Sequence, residues 1–125
     1  MWAMIAAVAT GGAAGSVMRY LFTTQLVRAG GPDFPWATLA VNVLGALLIG
    51  LFARLFAGDV NPVTRAALTV GFCGGFTTFS TYSVELVLLI EQGRVLRALL
   101  YAISSTALSV VATVAGLALG SRMMR

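Results

Sequence analysis

The sequence predicts an all-α membrane protein with four transmembrane helices, the third broken at its centre, forming a single membrane domain over residues 1–125. Three observations predict it. Of the 125 residues, 59% are hydrophobic and 10% are charged, with a mean hydropathy of +0.96; a soluble domain of this length needs far more charge. Apolar stretches of the roughly 20 residues needed to cross a bilayer recur along the chain with short connections between them. Finally, the run from Gly71 to Glu85 places three glycines, six hydroxyl side chains and a carboxylate at membrane depth. Irregular backbone is tolerated there only where it is buried in protein or lines a watery path, and intramembrane polar clusters mark function.

The first span covers residues 2–27 and is interrupted by Arg19. Met1 to Thr10 is apolar but has no basic n-region, and the apolar character continues past Gly15, so this is a span and not a leader peptide. The second covers 36–56, after the turn-forming stretch Gly30-Gly31-Pro32-Asp33-Phe34-Pro35. The third covers 62–91 and opens at Pro62, a residue suited to the first helical position. The fourth covers 94–120, separated from the third by Gly93 and uncharged between Arg97 and Arg122. Gly11 and Gly15, Gly71 and Gly75, and Gly116 and Gly120 are each four residues apart, a spacing that lets helix backbones approach closely. For the middle pair the adjoining polar run adds a second expectation: the helix breaks there and frees carbonyls, as in discontinuous transporter helices.

Composition also excludes chemistry. All eight basic residues are arginine, and there is no histidine, which removes the commonest transition-metal ligand and general base. The one cysteine, Cys73, rules out an intramolecular disulfide and reads as a buried inert thiol. No nucleophile sits with a base, so no enzyme is expected.

Four spans place Arg54, Arg65, Arg122 and Arg125 on one side and Arg28, Arg94 and Arg97 on the other. Four against three gives no orientation under the positive-inside rule. Such balance suits a chain that inserts both ways up, and is equally open to a small protein with no orientation signal. Four helices leave little room for a pore inside one chain, so an assembly is expected. With both orientations available, an antiparallel dual-topology homodimer would have its two-fold axis in the membrane plane.

Several side chains suit an anion. Phe79 and Tyr82 lie three apart, on nearly one helix face, and aromatic rings have a positive edge. Thr77, Thr78, Ser80, Thr81 and Ser83 interleave hydroxyl donors. Either this is an anion pathway or the rings are core filler. Asn42, alone in an apolar span, makes either an interhelical hydrogen bond or an ion contact. Tyr101, Ser105, Ser109 and Thr113 recur every four residues, which makes one polar stripe on the last helix; hydroxyls bonding back to their own helix are the alternative. Arg19 either snorkels, pairs with Glu85, or raises the potential of a vestibule.

These segments resemble the Fluc (CrcB) family of fluoride channels. The resemblance covers nearly the whole chain and rests on three stretches in order: Gly11 to Tyr20, Thr38 to Gly45, and Gly71 to Glu85, reading Gly-Phe-Cys-Gly-Gly-Phe-Thr-Thr-Phe-Ser-Thr-Tyr-Ser-Val-Glu. It implies a passive fluoride channel in the bacterial inner membrane that exports fluoride and confers resistance. Its partners would be fluoride, membrane lipid and a second, antiparallel copy, with no nucleic acid and no organic cofactor. A structural sodium ion would be held at the dimer centre by the backbone carbonyls of Gly74 and Thr77. The anion pathway would comprise Asn42, Thr78, Phe79, Tyr82, Ser83, Tyr101, Ser105 and Ser109, with Arg19 and Glu85 nearby. Tyr82 departs from the commoner phenylalanine, which bears on conduction rate or selectivity. The competing expectation is a small multidrug-type proton-coupled exporter, also short and four-helical. Such exporters depend on a glutamate in the first helix, where this chain carries only Arg19.

Overall fold

The structure, a computed structural model, describes residues 1–30, 33–58 and 61–124, without the side chains of residues 28–30. The turn expected over residues 30–35 therefore lies partly outside the described residues, as do the side chains of Arg28 and Arg125. All four spans are helical and long and apolar enough to cross a membrane. The first is α1 (Trp2–Gly30) and the second α2 (Trp36–Leu55). The third is built in pieces: α3 (Pro62–Ala66), a π-helical turn (Ala67–Cys73), α4 (Gly74–Phe76) and α5 (Phe79–Glu91). The fourth is α6 (Val95–Met123), which runs three residues beyond the expected end.

Local chemistry accounts for the ends of the third span. The Asn61 side chain accepts from the Val63 N–H at 2.9 Å while Pro62 occupies the first turn, where its missing N–H would be unpaired anyway. At the other end Gly93 adopts φ +73°. The Gly93 N–H then donates to Ile90 O and the Arg94 N–H to Leu89 O, both at 2.9 Å. That is a glycine-closed helix end satisfying the last carbonyls, and it turns the chain directly into α6.

The break falls slightly later than the glycine spacing suggested. Gly71 lies in the wide π-helical turn and Gly74 and Gly75 in α4; the helix stops at Thr77 (φ −79°, ψ 161°) and restarts after Thr78 (φ −149°, ψ 113°). The glycines serve close packing instead. A Cβ on Gly15 would meet the Phe72 carbonyl and, at 2.9 Å, the Phe76 nitrogen. One on Gly75 would run into the backbone of Gly12. α1 thus lies backbone to backbone on the π-helical turn and α4. The more extensive pairing is α2 with α6, where Gly116 seats against Leu47 O and Leu51 N.

Near the other end of the bundle, Leu39, Leu89, Ala98 and Tyr101 form a buried cluster with Phe34, Val43, Tyr82 and Leu86 packed on it. Asp33 holds the start of α6 there, with Arg97 at 3.2 Å and Arg94 at 3.8 Å. Both ion pairs are exposed, so they contribute little to stability. Leu100, Ile103, Val111 and Val114 of α6 are exposed in the single chain, as suits contact with lipid.

Candidate functional site

A helix break frees carbonyls on one side and N–H groups on the other, and at membrane depth each needs a partner. Here the partners come from three directions. Asn42 of α2 accepts from the Thr78 N–H at 2.8 Å and donates from Nδ2 to Thr78 O at 3.2 Å. Arg19 of α1 donates from Nη1 to Thr77 O at 2.9 Å. The Thr78 hydroxyl caps α5, accepting from the Thr81 N–H at 3.1 Å and donating to Thr81 Oγ1 at 2.9 Å. Ser16 Oγ faces Gly75 O at 3.5 Å. The Gly74 carbonyl loses the donor that a continuous helix would supply, because the Thr78 N–H is given to Asn42.

An open cavity of about 320 Å³ adjoins the break, lined by Asn42, Thr77, Thr78, Phe79, Tyr82, Ser105, Thr106, Ser109 and Val110. Six of the predicted pathway residues therefore meet in one place: Asn42, Thr78, Phe79, Tyr82, Ser105 and Ser109. The Phe79 and Tyr82 rings are 5.6 Å apart, and Tyr82 is 5.1 Å from Tyr101. Ser83 is not part of that lining; its hydroxyl bonds back to Phe79 O at 2.9 Å. Thr77 and Thr113 likewise bond back, to Cys73 O and Ser109 O, each at 3.0 Å.

Glu85 lies beyond the tyrosines. Its Oε1 accepts from Thr38 Oγ1 at 2.8 Å and its Oε2 from the Tyr101 hydroxyl at 2.7 Å. Tyr101 is fully buried and Thr38 nearly so. The carboxylate also borders a second cavity of about 250 Å³, reaching Asp33, Gln92 and Arg94. Arg19 does not pair with Glu85, since α1 directs it to the break. Sequence reasoning missed Thr38, although it precedes Asn42 by one helical turn and so shares its face. Thr106 was missed as well, lying just beyond the four-residue stripe.

Among the described residues the Tyr82 hydroxyl makes no hydrogen bond, and the ring supplies its contacts. Tyr82→Phe is therefore expected to leave thermal stability within about 0.5 kcal/mol, checked by unfolding in detergent. Any change in transport by this variant then reports on the hydroxyl in the pathway.

Fold and site together define a class: a small polytopic protein whose discontinuous helix gathers hydrogen-bond donors beside an open cavity. Residues 6–117 match the family described as CrcB-like protein, Camphor Resistance (CrcB). The chain is 52% identical over 118 residues to "Fluoride-specific ion channel FluC 1" of Nitrobacter hamburgensis, covering 93% of this chain and 94% of that one. It is 51% identical to "Fluoride-specific ion channel FluC" of Nitrobacter winogradskyi, with the same coverage. Against the protein of that name in Agrobacterium fabrum it is 48% identical, covering 95% of this chain and 97% of that one. The chain belongs to the CrcB family, and it is an integral, multi-pass membrane protein.

Proposed function

We propose that the protein is a passive, fluoride-selective channel that lets fluoride leave the cytoplasm across a bacterial inner membrane. The observation that carries the reading is the cavity at the break, where Asn42, hydroxyls of the break and of α6 and two aromatic rings converge. Fluoride is small and strongly hydrated, so a pathway for it needs donors that replace water without holding the ion too tightly. The Asn42 amide, the hydroxyls of Ser105 and Ser109 and the ring edges of Phe79 and Tyr82 form such a graded set. Relatives named as fluoride-specific channels support the choice of ion. The expected absence of enzymatic chemistry follows from the same reading.

The working unit is an antiparallel, dual-topology homodimer. Gly74, Ser80 and Thr81 are exposed in the single chain, and Phe79 is 79% exposed. A polar helix break cannot face hydrocarbon, and a second copy would cover it. A Cβ built on Gly74 meets nothing within 4 Å. Gly74→Leu is accordingly expected to leave the single chain folded while weakening the dimer at least tenfold, read by subunit exchange in detergent. An undisturbed dimer would move the interface away from this face.

The residues present fit a structural sodium ion at that interface. A hard cation takes oxygen ligands; the Gly74 carbonyl has lost its helical donor, and Thr77 O has a second lone pair beside its bond to Arg19. Bound there, sodium would neutralise carbonyl dipoles of two facing chains. Anion efflux from liposomes containing the purified protein tests the main reading: rapid fluoride release with little chloride release is expected. No fluoride release from a folded dimer would overturn it in favour of proton-coupled export.

A further inference from the structure

We infer that Arg19 is a positioning residue which, with Asn42, clamps the peptide unit joining Thr77 to Thr78. A peptide unit is a rigid plane carrying C=O and N–H on opposite edges. At the break its C=O accepts from Arg19 Nη1 at 2.9 Å and its N–H donates to Asn42 Oδ1 at 2.8 Å. The two grips come from different helices, α1 and α2, so the plane cannot rotate without losing one of them. Its orientation sets the extended ψ of Thr77, 161°, and with it the direction in which Thr78 and Phe79 leave the break.

Arg19 is free for this task. The ion pairs among the described residues both fall on Asp33, and Glu85 is engaged by Thr38 and Tyr101. A partly buried guanidinium without a carboxylate is best served by an unpaired carbonyl, and such a charge-assisted bond is stronger than a neutral one. Its reach is fixed from below: Gly15, one turn earlier, seats its backbone on Phe72 and Phe76. Arg19 lies outside the lining of the 320 Å³ cavity, so it acts on the pathway through the backbone and not as a charge facing the ion.

The test compares wild type, R19K, R19M, N42A and R19M/N42A, each full length in nanodiscs and in liposomes. The flux arm rests on the fluoride-channel reading; amide hydrogen exchange does not. R19M is expected to speed exchange over residues 78–81 about tenfold or more, as loss of a bond to a charged group implies, and to slow fluoride efflux at least tenfold. R19K restores part of both, because a single ammonium replaces the fork incompletely. The double variant loses little beyond N42A alone, since both residues act on one peptide. A long-range charge effect predicts the opposite: R19K equal to wild type, full additivity with N42A, and wild-type flux that falls as salt screens the charge. That pattern, or unchanged exchange at the break in R19M, overturns the clamp. Should R19M fail to assemble, faster exchange at the break in assembled R19K supports the clamp and wild-type exchange overturns it. If wild type conducts no fluoride, the channel reading fails and the exchange arm still decides the clamp.

Discussion

Asn42→Ala is expected to cut fluoride efflux by roughly two orders of magnitude and to destabilise the protein by about 2–4 kcal/mol. The side chain makes two hydrogen bonds to one residue, accepting from the Thr78 N–H and donating to Thr78 O. Alanine leaves the Thr78 N–H unpaired and takes one donor from the Thr78 carbonyl, which also opens α5, at a residue only 6% exposed. Each orphaned buried group costs about 1–3 kcal/mol. The same change removes a donor from the cavity wall and releases one edge of the 77–78 peptide, so flux and stability fall together. Asn42→Asp separates the two effects: its carboxylate keeps an acceptor for the Thr78 N–H but sets a like charge in the path of an anion. Efflux by Asn42→Asp should therefore be as low as by alanine, with a smaller loss of stability. Efflux by either variant at the wild-type rate would remove Asn42 from the pathway.

Gly15→Val should prevent assembly of the functional protein. The first atom of the new side chain would collide with the Phe72 carbonyl and approach the Phe76 nitrogen to 2.9 Å. Both obstacles are backbone, so neither can swing aside as a side chain would. Overpacking of this kind costs about 1–3 kcal/mol where neighbours adjust, and more where two helices must separate. Separation would also withdraw Ser16 and Arg19 from the break they face. Gly12 offers the internal control. A Cβ there lies 3.7 Å from Gly71 O, an ordinary contact, and Gly12→Ala should express and unfold like wild type. The pair is read by size-exclusion chromatography and thermal unfolding; equal behaviour of the two variants would discount the close approach of α1 to the third span.

How much of this was legible beforehand depended on whether the signal was local. The spans follow from the length of apolar runs, and Asn61-Pro62 and Gly93 mark the ends of the third because capping acts within a turn. The break was expected near its position because hydroxyls and glycines crowd there. Its exact step, at Thr77 and Thr78, was hidden because the anchoring partners are Asn42 and Arg19, the latter 58 residues away in sequence. Residue type pointed to Glu85 and Tyr101 as notable, but their mutual bond and the part played by Thr38 depend on how α2, α5 and α6 come together. Ser83 shows the converse: its composition suggested the pathway, while a bond to its own helix takes up its hydroxyl. The π-helical turn had no sequence signature at all, since it forms where α1 presents bare backbone to it.

That wide turn (Ala67–Cys73) also governs angular phase along the third span. In a regular helix each residue advances the chain by about 100° and 1.5 Å, so the entry segment and the break would be locked in one rotational relation. A turn that accommodates more residues lets Pro62–Ala66 face one way while Gly75, Thr77 and Thr78 face another. Rewinding the same seven residues as an ordinary α-helix, with none removed, would leave every backbone bond satisfied and local helicity unharmed. Everything downstream would nevertheless be rotated by about 100°, turning Gly75 away from Gly12 and the 77–78 peptide away from both of its grips. The protein would then hold a better helix in the wrong phase.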